Sequence, residues 1–135
     1  MRALRWLLLV PASAVAFYLA IAATIATHYL VEQHLCPLAD FDRGICSNRT
    51  LGAFLEAIKH GGAALTVIFV AGVAVIVAPS HKPQVLWTTL ALLLLFAAWF
   101  GYAGTAGSLF VAALVGGMLA AIGYPRFLRA PTPLA

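Results

Sequence analysis

The chain has 135 residues, of which 64% are hydrophobic and 9% charged, with a mean hydropathy of +1.01. Water-soluble domains run near 45–50% apolar and about 25% charged, so this composition excludes a soluble globular fold. The net charge of +4 is scattered along the chain rather than gathered into a basic face that would hold nucleic acid.

Four apolar runs, at 7–27, 58–77, 85–104 and 106–124, account for most of the sequence, and only Lys59 and His60 intrude, at the edge of the second. A helix rises about 1.5 Å per residue, so about 20 residues cross a hydrocarbon core of about 30 Å. The expected fold is an all-α membrane protein, one domain over 1–128, with four transmembrane helices in an up-down bundle. The helices are expected at about 7–29, 53–78, 85–103 and 107–125, with an external loop over 31–52 and a flexible tail over 129–135.

The first run opens on Met1, Arg2 and Arg5, and Ala12-Ser13-Ala14 has the form of a leader-cleavage site. The apolar stretch continues well past it, which reads as an uncleaved signal-anchor that is itself the first spanning helix. Pro11 either starts that span or ends a tilted lead-in turn over 2–10. Ala12, Ala16, Ala20 and Thr24 then recur every four residues, a small-residue stripe of the kind on which membrane helices approach closely.

The polar loop that follows holds the chain's two cysteines, Cys36 and Cys46. An oxidising compartment favours a disulfide between them. Membrane thiol oxidoreductases instead need a closely spaced reactive pair and a second relay pair, and this chain has neither. Asp40, Asp42 and Gly44 favour turns, and Thr50 is placed to cap the second helix. Asn48-Arg49-Thr50 matches the glycosylation pattern, but the Ala- and Leu-rich, lysine-poor composition looks bacterial, and the match is read as chance.

The connection 79–83 has prolines at both ends, so helices two and three are expected to be antiparallel neighbours. Helix three is bulky over 92–95, and Leu93 is expected to face lipid. Helix four carries two small stripes, one of Ser108, Ala112, Gly116 and Ala120 and one of Ala113, Gly117 and Ala121. Such a helix has surface for two neighbours or for a partner protein.

Arg2, Arg5, Lys82, Arg126 and Arg129 fall on one side of a four-pass chain. The other side holds Arg43, Arg49 and Lys59 together with every acid: Glu32, Asp40, Asp42 and Glu56. Lys and Arg mark the cytoplasmic side, so both termini are expected in the cytoplasm of a bacterial inner membrane.

The side chains with most chemistry lie near the loop. His28 and Glu32 are i,i+4 on the first helix; Glu56, Lys59 and His60 share one side of the second; His34 adjoins them. Imidazole and carboxylate together suit a transition metal or a proton relay, and two histidines can ligate a haem. The plainer reading is an interfacial cluster in which Glu56 pairs with Lys59 or His60. No dense ligand motif is present, and no cofactor is expected on balance. Small multidrug transporters share the helix count and length, but they carry an acid inside the first helix where this chain has none. The sequence therefore points to a non-enzymatic accessory or assembly subunit, or a scaffold, with the lipid bilayer and another membrane protein or itself as partners. A metal-, haem- or quinone-linked protein is the alternative, and a small transporter the third.

Overall fold

The structure, a computed structural model, describes residues 2–37, 41–42, 45–46, 48–103 and 107–129. Four helices run through them: α1 (Arg2–Leu35), α2 (Arg49–Val77), α3 (Lys82–Ala103) and α4 (Gly107–Arg129). Two short strands, β1 (Phe41–Asp42) and β2 (Ile45–Cys46), lie between α1 and α2. All four helices are long and apolar enough to cross a membrane. The chain is a small multi-pass integral membrane protein with an all-α, four-helix fold. Asp40, Arg43 and Gly44, the turn at 104–106 and the tail beyond Arg129 lie outside the described residues.

Helix α1 exceeds its expected span at both ends. Its 34 residues rise about 51 Å, against about 30 Å of hydrocarbon. Pro11 sits inside it. The missing N–H leaves the Leu7 carbonyl without its helical donor, yet the helix runs through. In lipid the remaining backbone groups have no partner outside the helix, so neither a start at Pro11 nor a separate lead-in turn is found.

The segment between the helices is correspondingly shorter than the expected loop over 31–52. Strands β1 and β2 pair antiparallel, Phe41 opposite Cys46 and Asp42 opposite Ile45. Cys36 and Cys46 are joined by a disulfide with their Cα atoms 6.0 Å apart. The cap of α2 is Asn48 and not Thr50. The Asn48 side chain accepts the backbone N–H groups of Thr50 and Leu51, both at 3.1 Å. These are the second and third helical residues, the donors an N-cap side chain reaches; Thr50 itself lies inside the first turn.

Helix α2 is the centre of the molecule and packs on all three others. Leu9 of α1 meets Ala74 and Ala78 near the far end of α2 and Val85 of α3, while a Cβ added to Gly62 would collide with the side chain of Thr24. The two helices are therefore antiparallel. Helix α4 runs parallel to α2: Gly116 lies against the Ala64 backbone and Tyr124 against Gly72, eight residues further along each helix. The core joins Val67, Ala71 and Val75 of α2, Leu86 and Leu90 of α3, and Ala113 and Ala120 of α4. Phe17 and Phe96 meet edge to face, with centroids 5.7 Å apart, and tie α1 to α3.

This register gives the bundle a step. With Gly116 level with Ala64, the start of α4 at Gly107 is level with Leu55. The loop end of α2 stands about 9 Å beyond it, and that of α1, with Thr24 level with Gly62, about 6 Å.

The structure corrects the expected role of Leu93. Leu92 and Leu95 are exposed, but Leu93 packs against the core and Leu94 faces Gly117. Four consecutive helical residues turn through about 300°, so a bulky run cannot face lipid as a unit. The tight connection before α3 contains His81, whose φ of 54° is the positive value recorded at a non-glycine residue. The His81 carbonyl accepts the Val85 N–H at 3.1 Å and starts α3. Pro83, second in the helix, occupies a first-turn position where its missing N–H costs no helical bond.

Candidate functional site

Two features occupy the loop-side half of the molecule. One is the group of ionisable residues on α1 and α2. The other is a lateral cleft between these helices.

On α1, His28 Nδ1 lies 3.9 Å from Glu32 Oε2, and both side chains are mostly buried. The other carboxylate oxygen, Oε1, accepts the backbone N–H of Cys46 at 3.1 Å. Glu32 thus links α1 to the far arm of the disulfide hairpin. On α2, Lys59 Nζ donates to Glu56 Oε1 at 2.7 Å. His60 Nδ1 lies 2.6 Å from the Glu56 carbonyl, a bond within one helical turn, and 4.0 Å from the Glu56 carboxylate. His28 is also within electrostatic range of Glu56, so the two groups share one neighbourhood. His34 is exposed in the last turn of α1 and contacts none of the others.

The group divides into two intrahelical sets, each satisfied close to home. Among the described residues no three His, Cys, Asp or Glu side chains are placed to hold a metal ion, and no buried side-chain polar atom lacks a partner. The geometry accounts for anchoring the hairpin and neutralising charge near the membrane surface. The sequence placed these residues together by helical spacing. The Glu32–Cys46 link could not be read from it, because that bond needs the hairpin to fold back over the end of α1.

The cleft was not anticipated. It has a volume of about 890 Å³ and is lined on α1 by residues between positions 19 and 27, among them Leu19, Ala23 and Thr27. The α2 wall includes Ile58, Gly61 and Phe69, and Tyr124 of α4 closes its deep end. Helix α1 lies chiefly on α2, which leaves the strip of α2 between α1 and α4 uncovered. Glu56 and His60 are about 160° to 200° around α2 from Ile58, so the ionisable group and the cleft face opposite sides of the α1–α2 pair. Tyr124 donates its hydroxyl to the Ile68 carbonyl at 2.8 Å.

The small-residue positions all turn inward. Ala16, Ala120, Gly116 and Gly117 are buried, and Ala12, Ala20, Thr24 and Ala112 are partly so. Apart from the exposed Ser108, the two stripes of α4 are covered wholly or in part within the same chain, chiefly by α2 and α3. The surplus surface that the sequence offered to a partner is taken up internally. Comparison with known proteins finds no matching family model, no similar curated protein and no similar solved structure.

Proposed function

We propose that this chain is a non-enzymatic accessory or assembly subunit of the bacterial inner membrane, docking on a larger membrane partner or on copies of itself. In this reading both termini are cytoplasmic and the disulfide hairpin is external. The observation that carries it is the state of α1. Only 6% of its spanning window is buried within the chain, against 39% for α2. Val15, Tyr18, Ile25, Tyr29 and Leu30 are among its exposed large residues. A helix held along one side keeps most of its circumference for another molecule, and its loop end stands clear of α3 and α4. The docking face is thus α1 rather than the small stripes of α4.

The test is extraction of the chain from its native membrane in a mild detergent, with identification of co-purifying proteins and measurement of mass. A stoichiometric membrane partner or a defined homo-oligomer is expected. Replacing Tyr18 and Ile25 by Ala should release that partner while the chain stays folded. A monomer with no companion in every mild detergent, also after chemical cross-linking in the membrane, overturns the reading. A stoichiometric metal or a haem band in the same preparation replaces it with the cofactor-linked alternative.

A further inference from the structure

The cleft between α1 and α2 has dimensions and chemistry that select its occupant. From Ile58 to Phe69 its α2 wall is eleven residues long, about 16 Å. That is half the hydrocarbon thickness of about 30 Å. The half is identifiable. On α1 the apolar run is 7–27, and the cleft covers 19–27, the part nearest the disulfide hairpin. Its mouth, at Thr27 and Ile58, lies at the hairpin end of the apolar runs, and its deep end stops near mid-membrane. The cleft is one leaflet deep.

A transmembrane helix does not fit. A crossing helix needs a groove through both leaflets, about 30 Å of wall, and this one ends after about 16 Å. A polar ligand finds no free donor and no charge there, only hydroxyl oxygens that can accept. Thr24 donates to the Ala20 carbonyl at 2.9 Å, Thr27 to Ala23 at 2.8 Å and Thr66 to Gly62 at 2.7 Å. The Tyr124 hydroxyl is committed to Ile68. No charged side chain lines the space. With the hydroxyl protons already donated, the walls present methyl, methylene and ring surface, and a void of this kind in a bilayer is filled by hydrocarbon.

We propose that the cleft is a lipid seat, holding the acyl chains of a diacyl phospholipid from the leaflet on the hairpin side. The lipid covers the flank of the Thr24–Gly62 contact that α4 leaves open, so it is part of the folded structure. Because no ionisable side chain lines the cleft, selection is by hydrocarbon and not by headgroup. This inference is independent of the docking reading, since the cleft and the exposed residues of α1 named above are separate surfaces.

Gly61 and Ala23 allow a direct test. Gly61 lines the cleft, and a Cβ added there meets nothing within 4 Å. Ala23 is exposed on the opposite wall. Gly61→Phe and Ala23→Phe therefore fill the seat from either side. Gly123→Phe, at another glycine with open space that does not line the cleft, is the control. The full chain is reconstituted into vesicles of phosphatidylethanolamine and phosphatidylglycerol, re-extracted in mild detergent and weighed by native mass spectrometry. Wild type and Gly123→Phe should retain a phospholipid of either headgroup; Gly61→Phe and Ala23→Phe should lose it. Wild type without a retained phospholipid, or equal retention in all four proteins, overturns the proposal. So does an isoprenoid or a peptide in place of the phospholipid. A second measurement needs no variant: delipidated wild type should gain thermal stability on return of the diacyl lipids but not of their lysolipids, and no gain is an equal refutation.

Discussion

The carboxylate of Glu32 accepts the backbone N–H of Cys46 across a gap of fourteen residues, at 3.1 Å. One turn of helix later, Cys36 forms the disulfide to the same residue. The hairpin is thus fixed to the end of α1 twice, once covalently and once by a charge-assisted hydrogen bond. Such bonds contribute about 1.5–3 kcal/mol, and Glu32 is buried enough to keep most of that.

Glu32→Ala should therefore lower stability in detergent by about 1–2 kcal/mol. It should also speed hydrogen exchange at the Cys46 amide. Glu32→Gln retains an acceptor oxygen and should cost less. If exchange at Cys46 is unchanged in Glu32→Ala, the carboxylate does not hold the hairpin.

Loss of the disulfide should be additive in direction and larger. The bridge closes a loop with a sequence separation of 10, and constraining the unfolded chain over that length stabilises by about 2.5–3 kcal/mol in the chain-entropy model. Replacing both cysteines by Ser should lower the melting temperature and leave the four helices intact by circular dichroism. Mass spectrometry without reductant should find the bridge in the wild type. Free thiols in protein taken directly from the membrane would remove the premise.

The four helices were legible because a spanning helix announces itself by length and by the absence of charge. Their ends were not. Polar residues such as Glu32 and Gln33 continue α1 to Leu35, since once past the lipid a helix needs only satisfied backbone groups, not apolar side chains. Asn48 was discounted as a modification site and proved to be the cap of α2, a role set by backbone geometry at one residue. The helical spacing of His28 with Glu32 and of Glu56 with His60 placed them as intrahelical neighbours. The cleft was illegible, because it depends on where α1 and α4 both sit on α2, and no residue of its lining is unusual in a membrane helix.

Gly116 and Gly117 looked equivalent in sequence, and the structure separates them. A Cβ at Gly116 would lie 2.8 Å from the Ala64 Cα, and backbone cannot give way cheaply. A Cβ at Gly117 would rest 3.7 Å from a Leu94 methyl, an ordinary contact. Gly116→Ala should thus destabilise by about 1–3 kcal/mol, while Gly117→Ala should be neutral or slightly stabilising; Leu at either position should weaken helix packing. The exposed Leu92→Ala is the suitable control, since Leu93 contributes to the core. Equal melting temperatures for Gly116→Ala and Gly117→Ala would show that α2 and α4 are not in this register.

The connection between α2 and α3 offers a backbone test. His81 adopts a left-handed conformation at φ 54°, which costs a residue with a Cβ about 1–2 kcal/mol and a β-branched residue more. His81→Val should destabilise by at least about 1 kcal/mol, and His81→Gly should not destabilise. If His81→Val melts with the wild type, the connection does not use a left-handed residue.

Orientation is decided by charge at the two ends of the bundle. The alternating helix directions bring the start of α1, the α2–α3 connection and the end of α4 to one end, where Arg2, Arg5, Lys82, Arg126 and Arg129 lie. The opposite end holds Arg49 and Lys59 with Glu32, Asp42 and Glu56, and the sequence between α1 and α2 adds Arg43 and Asp40. Basic residues close to spanning segments resist translocation, whereas acids contribute little, so the five-to-three difference predicts a cytoplasmic location for the first end. Single cysteines introduced at Lys82 and at Ala130, in a chain whose native pair is replaced by Ser, should resist a membrane-impermeant thiol reagent in whole cells and react after lysis. A cysteine at Asp42 should react in whole cells. Labelling of Lys82→Cys from outside would invert the arrangement and place the Cys36–Cys46 pair on the reducing side, where a disulfide is not maintained.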